Sequence, residues 1–411
     1  MRGSGRFRTG RAALSTVAVL GTLAGAALTG AAPASGATSA VQIAPGVRYT
    51  QFDISAARGL THAHLLSVDL GNARVRLNLL HPGAVAARSA VSRLADAKGA
   101  VAGVNGDFFN ISEVQHPEVA ATGAAVGPAV ASGVVLKSAV PNGQRFGPAM
   151  PPGVTTRAIL GVGTDRRARL DNLALSGSVA TPTGRYTLGG LNQYALPVGS
   201  IGAFTPAWGS VSRARAVCGT DTNRAAPCST DTYEVIVRRG KVVRMTNSPG
   251  KGVIPAGATV LVGRETGAQQ LRKLFIGAKV TVKSRMVAAT SRIPYRFALG
   301  GYPVLKGGRP LAGLDTGTSA VRTAAGIANG GRKLLLLAVD GAPRYRSGLT
   351  VAEVAATMRQ LGSVDAFNLD GGGSTTLVAR PPGTSRATVR NHPTGGAERP
   401  VPNAIGVFTT G

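Results

Sequence analysis

The sequence has few cysteines and few long apolar segments, and each shortage excludes a class of protein. Its 411 residues include only 2 cysteines, Cys218 and Cys228, and neither has a histidine or a further cysteine at zinc-ligand spacing. We therefore expect a local disulfide between them. Beyond the N-terminus no apolar segment is long enough to cross a membrane, which excludes a multi-span membrane protein.

Acidic and aromatic residues are also scarce. Asp+Glu total 18 against Lys+Arg 46, so the formal net charge is +28, while aromatic residues make up 4% of the chain. A nucleic-acid-binding surface needs clustered basic residues, and here the arginines and lysines are scattered without interleaved aromatic residues. The sequence therefore predicts no nucleic-acid partner, and the charge favours work beside an anionic surface polymer.

The first 37 residues have the pattern of a signal peptide. Four arginines within the first 11 residues precede an apolar stretch over residues 12–32, and cleavage sites of the A-x-A type follow. We predict that residues 1–37 are removed, and that the mature protein is secreted and does not span a membrane. The alternative is an uncleaved membrane anchor.

Several common catalytic signatures are missing. The sequence has no Gly-x-Ser-x-Gly, no His-Glu-x-x-His, no dinucleotide-binding fingerprint and no paired Cys-x-x-Cys motifs. With 5 histidines in the chain, no Ser/His/Asp triad can be located. His62 and His64 would share one face of a strand, but nothing near them in the sequence completes a metal-binding set.

Composition divides the rest of the chain into three regions. Residues 49–140 alternate apolar and polar positions as strands do, and the Pro- and Gly-rich residues 141–153 mark a boundary. Residues 141–295 are predicted to be a β-rich insertion or accessory region that holds the Cys218–Cys228 disulfide. Residues 296–411 carry most of the motifs, and we expect them to form one catalytic domain with residues 49–140.

A strand–helix–strand unit is the clearest local prediction. An apolar run over residues 333–339 ends at Asp340, a capping box opens a helix over residues 350–361, and a second apolar run over residues 364–369 ends at Asp370. The two strands are predicted to be parallel, so both aspartates should lie at one edge of the sheet, where ligands bind. Such carboxylates can act as acid, base, nucleophile or metal ligand, although Asp-Gly can also mark a tight turn.

Two further segments carry candidate binding groups. Residues 371–374, Gly-Gly-Gly-Ser, follow Asp370 and are predicted to aim backbone N–H groups at an anion, with a flexible turn as the alternative. Residues 105–109, Asn-Gly-Asp-Phe-Phe, follow another apolar run. There Asp107 adds a third carboxylate, and Phe108 forms either a wall for a ligand ring or a hydrophobic plug.

Three charged side chains complete the candidates. Arg322 lies among small residues, where a guanidinium can clamp a phosphate with two parallel hydrogen bonds, although a lone arginine is often a plain surface residue. Glu398 and Arg399 precede the last apolar run. We predict that this pair adds polar contacts to the site or forms an ion pair outside it.

Taken in order, six motifs resemble those of the phosphodiester glycosidase family. The motifs are Asn-Gly-Asp-Phe-Phe at 105–109, Gly-Gly-Tyr-Pro-Val-Leu at 300–305, Arg-Thr-Ala-Ala-Gly at 322–326, Val-Asp-Gly at 339–341 with Ser-Gly-Leu-Thr at 347–350, Asn-Leu-Asp-Gly-Gly-Gly-Ser at 368–374, and Glu-Arg-Pro-Val at 398–401. The resemblance covers about residues 60–140 and 296–408. It departs from the family at Asp107, where many relatives carry a second glycine.

The resemblance implies a fold of the α/β to α+β class, with a mixed β-sheet core and flanking helices beside the β-rich insertion. It also implies hydrolysis of a sugar-1-phosphate diester at the anomeric C–O bond. The substrate would be a glycosyl phosphodiester or a sugar-phosphate polymer. No required cofactor is predicted, and a divalent cation is left open as the alternative. Cleavage of that bond expels a phosphate monoester, a weak base, so little help from a general acid is needed.

The expected roles of the residues follow from this reaction. Either Asp370 or Asp340 would activate water or attack C1, Arg322 and the glycine-rich turn would hold the phosphate, and the remaining groups would position the sugar. The predicted catalytic residues are Asp107, Asp340 and Asp370. The predicted substrate-binding residues are Asn105, Phe108, Arg322, Asn368, Gly371, Gly372, Gly373, Ser374, Glu398 and Arg399.

Two alternatives remain open on the sequence. In a metal-dependent phosphodiesterase, Asp107, Asp340 and Asp370 would bind a divalent cation, and the enzyme would break a P–O bond instead. A non-catalytic protein would use the same cavity and positive charge to bind an anionic cell-surface polysaccharide.

Overall fold

Short apolar runs bounded by glycine-containing turns dominate the sequence, and they fold mainly as β-strands. The computed structural model describes residues 1, 3, 39–345 and 347–410. The predicted signal peptide, residues 1–37, therefore lies outside the described residues apart from Met1 and Gly3. Strands make up 40% of the structure and helices 11%. The described residues from 39 onward belong to one compact unit.

The strands are numbered in chain order. The first region of the chain contains β1 (Val41–Ala44), β2 (Val47–Ala56), β3 (Gly59–Asp69), β4 (Val75–Leu80), β5 (Ala102–Asn105), β6 (Ala129–Ala131) and β7 (Val134–Lys137). The middle region contains β8 (Ala158–Gly163), β9 (Ala168–Thr181), β10 (Gly184–Leu191), β11 (Ile201–Phe204), β12 (Thr232–Arg238), β13 (Lys241–Thr246), β14 (Ala258–Arg264) and β15 (Thr281–Ala288). The last region contains β16 (Tyr295–Gly300), β17 (Tyr302–Lys306), β18 (Arg309–Pro310), β19 (Thr323–Ala328), β20 (Lys333–Val339), β21 (Asp365–Leu369), β22 (Leu377–Ala379), β23 (Thr388–Val389) and β24 (Ala404–Thr409).

Three α-helices lie among the described residues: α1 (Val91–Lys98), α2 (Thr266–Arg272) and α3 (Val351–Gln360). The predicted capping box opens α3, because the Glu353 N–H donates to Thr350 Oγ1 (3.1 Å) and the Thr350 N–H donates to Glu353 Oε2 (2.8 Å). No described helix is of the length and apolarity needed to cross a membrane.

The strands form three sheets. The eight-stranded sheet has the order β1-β2-β3-β20-β19-β21-β17-β18, and the five-stranded sheet has the order β23-β22-β5-β24-β4. The eleven-stranded sheet has the order β13-β12-β14-β11-β10-β9-β8-β16-β6-β7, with β15 paired to β9. Among the described ladders only β10 with β11 is parallel. The architecture is thus mostly antiparallel β, which supports the predicted mixed α/β core only loosely.

The two strands of the strand–helix–strand unit are parallel, as predicted, but they are not neighbours in the sheet. Strands β20 and β21 both pair antiparallel with β19, so they run parallel to each other with β19 between them. The two apolar runs therefore end at the same edge of the sheet. The separation of their ends is two strand spacings, or about 10 Å.

The central strands of the eight-stranded sheet, β19, β20 and β21, are buried on both faces. Leu335 and Leu337 of β20 share a core with Val354 of α3, whereas Leu334 and Leu336 share a second core with Val104 of β5. A continuous apolar run such as β20 is expected where both faces are covered. Each of these leucines contributes roughly 1.5–3 kcal/mol by burial, so the strand ends that follow are rigidly placed.

The first and last regions of the chain share sheets. Strand β3 pairs with β20, and β5 pairs with both β22 and β24. The middle region supplies most strands of the eleven-stranded sheet, including the hairpin of β12 and β13. Cys218 and Cys228 form the expected disulfide.

Candidate active site

Four strand ends meet at one edge of the eight-stranded sheet. Antiparallel pairing places the start of β3 beside the end of β20, and the start of β19 between the ends of β20 and β21. His62, Asp340, Arg322 and Asp370 therefore form one row across the sheet. Two backbone contacts fix this row: the Asp340 N–H donates to the His62 carbonyl (2.8 Å), and the Val339 N–H donates to the Arg322 carbonyl (2.9 Å).

Asp370 is held in place by the end of β5. Its backbone N–H donates to the Gly106 carbonyl (2.9 Å), and its carbonyl accepts a hydrogen bond from Asn105 Nδ2 (2.6 Å). The other atom of the Asn105 amide, Oδ1, accepts from Thr323 Oγ1 (2.8 Å) and from the Thr376 N–H (3.1 Å). The side chain of Asn105 thus connects three strand ends by hydrogen bonds, and it positions Asp370 through the backbone carbonyl of that residue.

The carboxyl group of Asp370 is half-buried and unusually basic. Burial raises its pKa to about 7, and the negative charge of Asp107 adds to this increase. A hydrogen bond with Ser374 and the positive charge of Arg399 oppose it. A carboxylate with this pKa is a stronger base than an ordinary one and is still ionised in part at neutral pH, which suits it to proton transfer or nucleophilic attack.

The glycine-rich turn differs from the expected anion nest. The Gly371 N–H donates to the Asp370 carboxylate (3.0 Å), the Gly372 N–H to the Val321 carbonyl (2.7 Å), and the Ser374 N–H to the Gly371 carbonyl (3.1 Å). These three donors therefore stabilise the turn itself and orient the carboxylate.

The absence of a side chain at Gly373 leaves space that the Arg399 guanidinium occupies. A Cβ atom at this position would lie 2.4 Å from Arg399 Nη2, so a larger residue would require the guanidinium to shift. Arg399 Nη1 also donates to Ser374 Oγ (3.3 Å). The result is a positive charge linked to Asp370 through Ser374, with donors suited to a phosphate.

Asp107 and Lys137 form a buried pair of charged groups near Asp370. Asp107 Oδ2 accepts from the Gly127 N–H (2.6 Å), while Oδ1 has no hydrogen-bond partner among the described residues. Lys137 Nζ donates to the carbonyls of Gly127 and Ser138 (2.6 Å to the latter). Burial raises the pKa of Asp107 and lowers that of Lys137, and their mutual attraction opposes both shifts.

Two aromatic rings and two arginines line the next part of the cleft. Phe108 is buried and stacks on Tyr302, with 5.8 Å between ring centroids. The Arg145 guanidinium lies 5.1 Å from the Phe108 centroid and 5.5 Å from that of Tyr302. Burial raises the pKa of the Tyr302 hydroxyl, and the charges of Arg322 and Arg145 partly offset the increase. That hydroxyl is buried and has no hydrogen-bond partner among the described residues.

Arg322 is buried without an ion-pair partner in the described part of the chain. Its Nε donates to the Leu349 carbonyl (2.9 Å) and its Nη2 to the Thr318 carbonyl (2.8 Å). Burial lowers its pKa, although a guanidinium stays charged at neutral pH. Neutral acceptors do not cancel its charge, so Arg322 adds to the positive potential one strand away from Asp370.

Asp340 has very different surroundings. Its Oδ2 lies 2.8 Å from His392 Nδ1 and 3.2 Å from His64 Nε2, and its Oδ1 accepts from the Ala342 N–H (2.7 Å). Burial alone would raise the pKa of Asp340, but these hydrogen bonds outweigh it and hold the pKa well below its usual range. His64 also contacts the Tyr49 hydroxyl (2.7 Å), and its burial lowers its own pKa. Asp340 is therefore a firmly ionised and fully hydrogen-bonded carboxylate.

Among the described residues, the two remaining predicted residues form no hydrogen bond with Asp370, Arg322 or Arg399. Glu398 accepts from the Ser92 N–H (3.0 Å) and the Ser92 hydroxyl, so it caps the start of α1. Asn368 is buried, with Nδ2 donating to the Leu369 carbonyl (3.1 Å) and Oδ1 without a partner among the described residues.

The three aspartates named as alternative metal ligands do not come together as a set. Among the described residues, the single group of at least three His, Cys, Asp or Glu ligand atoms within 4.8 Å of one another is His116, Glu118, Cys218 and Cys228. Both sulfurs of that group are joined in the disulfide. The arrangement of side chains therefore does not fit a divalent cation held by Asp107, Asp340 and Asp370.

Several site residues were missed by the sequence analysis. Tyr302 lies inside a recognised motif, which was a usable signal. Arg145, Lys137 and His392 are isolated in the sequence, and only long-range packing brings them to the cleft or to Asp340.

Part of the chain is similar in sequence to a known protein family. Residues 231–408 match the family model described as phosphodiester glycosidase. The match contains five of the six motifs, while Asn105–Phe109 precede it. The resemblance predicted from the motifs is thereby confirmed over this part of the chain. No curated protein matches the chain in sequence.

Solved structures of proteins from Synechocystis and Burkholderia pseudomallei share the fold. A hypothetical protein from Synechocystis has a TM-score of 0.68 and 20% identity over 92% of this chain and 64% of its own, so this chain spans less than two thirds of that protein. A protein from Burkholderia pseudomallei, named as exported, has a TM-score of 0.67 and 19% identity over 92% of this chain and 97% of its own. The catalytic domain of zebrafish N-acetylglucosamine-1-phosphodiester alpha-N-acetylglucosaminidase, auto-inhibited by its pro-peptide, reaches only 0.45 at 15% identity, with coverage of 91% and 88%.

Proposed function

We propose that the protein is a hydrolase that cleaves the anomeric C–O bond of a sugar-1-phosphate diester. The observation that carries this proposal is the position of Asp370, a basic carboxylate linked through Ser374 to the Arg399 guanidinium, within the region that matches the family. A phosphodiester glycosidase needs a carboxylate near C1 and positive charge at the phosphate. Asp370 and Arg399 meet both needs.

In the proposed reaction, Asp370 acts on the sugar and the arginines act on the phosphate. Asp370 either takes a proton from the attacking water, or attacks C1 itself to form a glycosyl ester that a water molecule then hydrolyses. In both cases the C1–O bond breaks with its electron pair moving to the phosphate oxygen. Arg399 and Arg322 stabilise the charge that develops there. Water supplies the hydroxyl of the free sugar and the proton that is returned to solvent.

Asp107 is assigned an indirect role. It is buried near Asp370, and its negative charge raises the pKa of the Asp370 carboxyl. Asp340 is not assigned the nucleophile or base, because three hydrogen bonds hold its carboxylate in the ionised form and make it a weak base. We propose that it stabilises the row of strand ends.

The proposed substrate is a glycosyl phosphodiester, with the N-acetylglucosamine derivative as the first to test. The proposed location is outside the cell. Support comes from the disulfide, from the signal-like residues 1–37 and from the shared fold with a protein named as exported.

The direct test is hydrolysis of a synthetic α-N-acetylglucosaminyl phosphodiester in ¹⁸O-labelled water, with and without a chelator. We expect ¹⁸O in the free sugar, an unlabelled phosphate monoester, and a rate that the chelator leaves unchanged. Label in a phosphate product, with loss of activity on chelation, would identify a metal-dependent phosphodiesterase. Binding without turnover across a panel of glycosyl phosphodiesters would identify a non-catalytic polysaccharide-binding protein.

A further inference from the structure

A polar cavity opens beside the candidate active site, on the side formed by the middle region of the chain. It has a volume of about 460 Å³, and its lining includes Arg145, Arg224, Gln115, Asn142 and Asn223. Arg145 also contacts residues of the candidate active site. Its guanidinium lies over the Phe108 and Tyr302 rings, and its positive charge partly offsets the rise in the pKa of Asp107 that burial causes. Arg145 therefore links this cavity to the aromatic residues and Asp107 of the candidate active site.

The charged side chains that line this cavity are all positive. No Asp or Glu is among the residues that line it, and neither Arg145 nor Arg224 forms an ion pair with a described residue. Arg145 donates to the backbone carbonyls of Gly147 (3.3 Å) and Pro148. Two guanidinium charges held by neutral acceptors at a shared cavity form a site for an anion.

Arg224 is fixed in this position from several sides. Its guanidinium lies 4.1 Å from the Phe146 centroid, its Nη1 donates to the Arg145 carbonyl (2.7 Å), and its Nε donates to Gln115 Oε1 (2.8 Å). These contacts use two of the five N–H donors of a guanidinium, so others remain for a ligand. An arginine held in advance loses less side-chain entropy when it binds.

The loop that carries Arg224 is itself braced. The Cys218–Cys228 disulfide closes it, and the Gly219 N–H donates to the Ala226 carbonyl (3.0 Å) across it. His116 Nε2 contacts the Arg224 carbonyl (2.7 Å) from the first region of the chain. The disulfide thus has a use beyond general stability, because it helps to present Arg224 at this cavity.

We propose that Arg224 and Arg145 form an accessory subsite for a second phosphate of the substrate, beyond the phosphate at the scissile bond. This inference rests on the proposed function, and it specifies the substrate class as a glycan whose units are joined by consecutive phosphodiesters. The cleft takes one phosphodiester of such a chain at Asp370 and Arg399. The cavity takes the next one, so that the enzyme acts on a polymer rather than on a single capped sugar.

The first test compares two synthetic substrates, one with a single glycosyl phosphodiester and one with two in succession. We expect the wild-type protein to favour the second substrate by about 10-fold or more in kcat/KM, as a charge-assisted contact would provide. Arg224→Gln should reduce this ratio by about 10-fold. Arg238→Gln removes the same charge from an exposed position at the end of β12 and should leave the ratio unchanged.

The second test measures binding without turnover. Tripolyphosphate should bind the intact protein in calorimetry, and Arg224→Gln should weaken its Kd by about 10-fold while Arg238→Gln does not. A tricarboxylate of similar charge should show no such difference, which separates a phosphate site from general attraction to the basic protein. Circular dichroism and the unfolding temperature check that each variant is folded.

The outcomes separate this inference from the proposed function. Equal substrate ratios and equal tripolyphosphate affinity in the wild-type protein and Arg224→Gln would overturn the subsite, even if the protein is a glycosidase. Loss of tripolyphosphate binding in Arg224→Gln, in a protein that hydrolyses no glycosyl phosphodiester, would support the anion site and overturn the proposed reaction. An equal loss with Arg238→Gln would overturn the subsite in favour of non-specific attraction.

Discussion

Asp340 and Asp370 follow the same kind of strand, precede the same residue type and lie at the same sheet edge, yet their surroundings make them chemically opposite. Asp340 accepts hydrogen bonds from two histidines and a backbone N–H, and its pKa is held low. Asp370 is flanked by Arg399 and by the buried Asp107, and its pKa is raised to about 7. A local motif therefore fixes the position of a carboxylate, whereas distant side chains fix its chemistry.

The largest expected effect is that of Asp370→Asn on turnover. The amide keeps the shape of the side chain but can neither accept a proton nor attack C1, so kcat should fall by at least about 100-fold. The unfolding temperature should change little, because the half-buried side chain contributes few stabilising contacts. The measurement is steady-state hydrolysis of the glycosyl phosphodiester, and activity within a few-fold of wild type would exclude Asp370 from the chemistry.

Asp340→Asn should show the reverse pattern. It removes the charge from a buried group that accepts hydrogen bonds from His64 and His392, so the free energy of unfolding should fall by about 3 kcal/mol at pH 7. Since the pKa of Asp340 is lowered by folding, this stabilisation is present above the unfolded value of about 3.9 and is lost as the pH falls below it.

Urea unfolding at pH 7 and at pH 3 measures the stabilisation by Asp340. The difference between wild type and the variant should shrink at pH 3. A variant as stable as wild type but without activity would mean that Asp340 is the catalytic carboxylate.

Gly373→Ala should have an intermediate effect on activity. Its Cβ would lie 2.4 Å from Arg399 Nη2, so the guanidinium must move away from Asp370, and kcat/KM should fall by about 10-fold through poorer phosphate stabilisation. Arg399→Gln should produce a similar loss, and the two changes together should not multiply, because both remove the same contact. Full additivity of the two effects would show that the glycine acts in another way.

The smallest expected effect concerns the pH dependence of stability. Burial lowers the pKa of His64 in the folded protein, so the unfolded chain, with a histidine pKa of about 6.5, binds a proton first as the pH falls. Acid therefore favours unfolding, and stability should decline below about pH 7. In His64→Gln this part of the decline should be absent from unfolding temperatures measured between pH 5 and 8, and parallel curves for both proteins would contradict the assignment.

The parts of this comparison that the sequence predicts are the local ones. The strand–helix–strand unit was predictable because an apolar run, a capping box at Thr350 and Glu353, and a second apolar run follow one another. The position of β19 between β20 and β21 could not be predicted. The small residues of β19, Thr323–Ala328, do not indicate which strands it pairs with. The mostly antiparallel pairing of the remaining strands depends on contacts of this non-local kind.

The chemistry of the site was harder to predict than its position. The contact between His64 and Asp340 joins residues 276 positions apart, and the charge beside Asp107 comes from Lys137, which no motif includes. Gly373 was predicted to expose backbone donors, whereas its main consequence is the space that it leaves for Arg399. Such effects depend on which side chains meet in three dimensions.

The most direct measurement is a titration of the two carboxyl groups themselves. The protein would be labelled with ¹³C at the aspartate carboxyl carbons, and the NMR signals of Asp370 and Asp340 would be assigned with the two Asp→Asn variants. Between pH 4 and 9 the Asp370 signal should shift with a midpoint near 7, while the Asp340 signal should stay constant. An Asp370 signal that is constant over this range, or an Asp340 signal that titrates near neutral pH, would contradict the account.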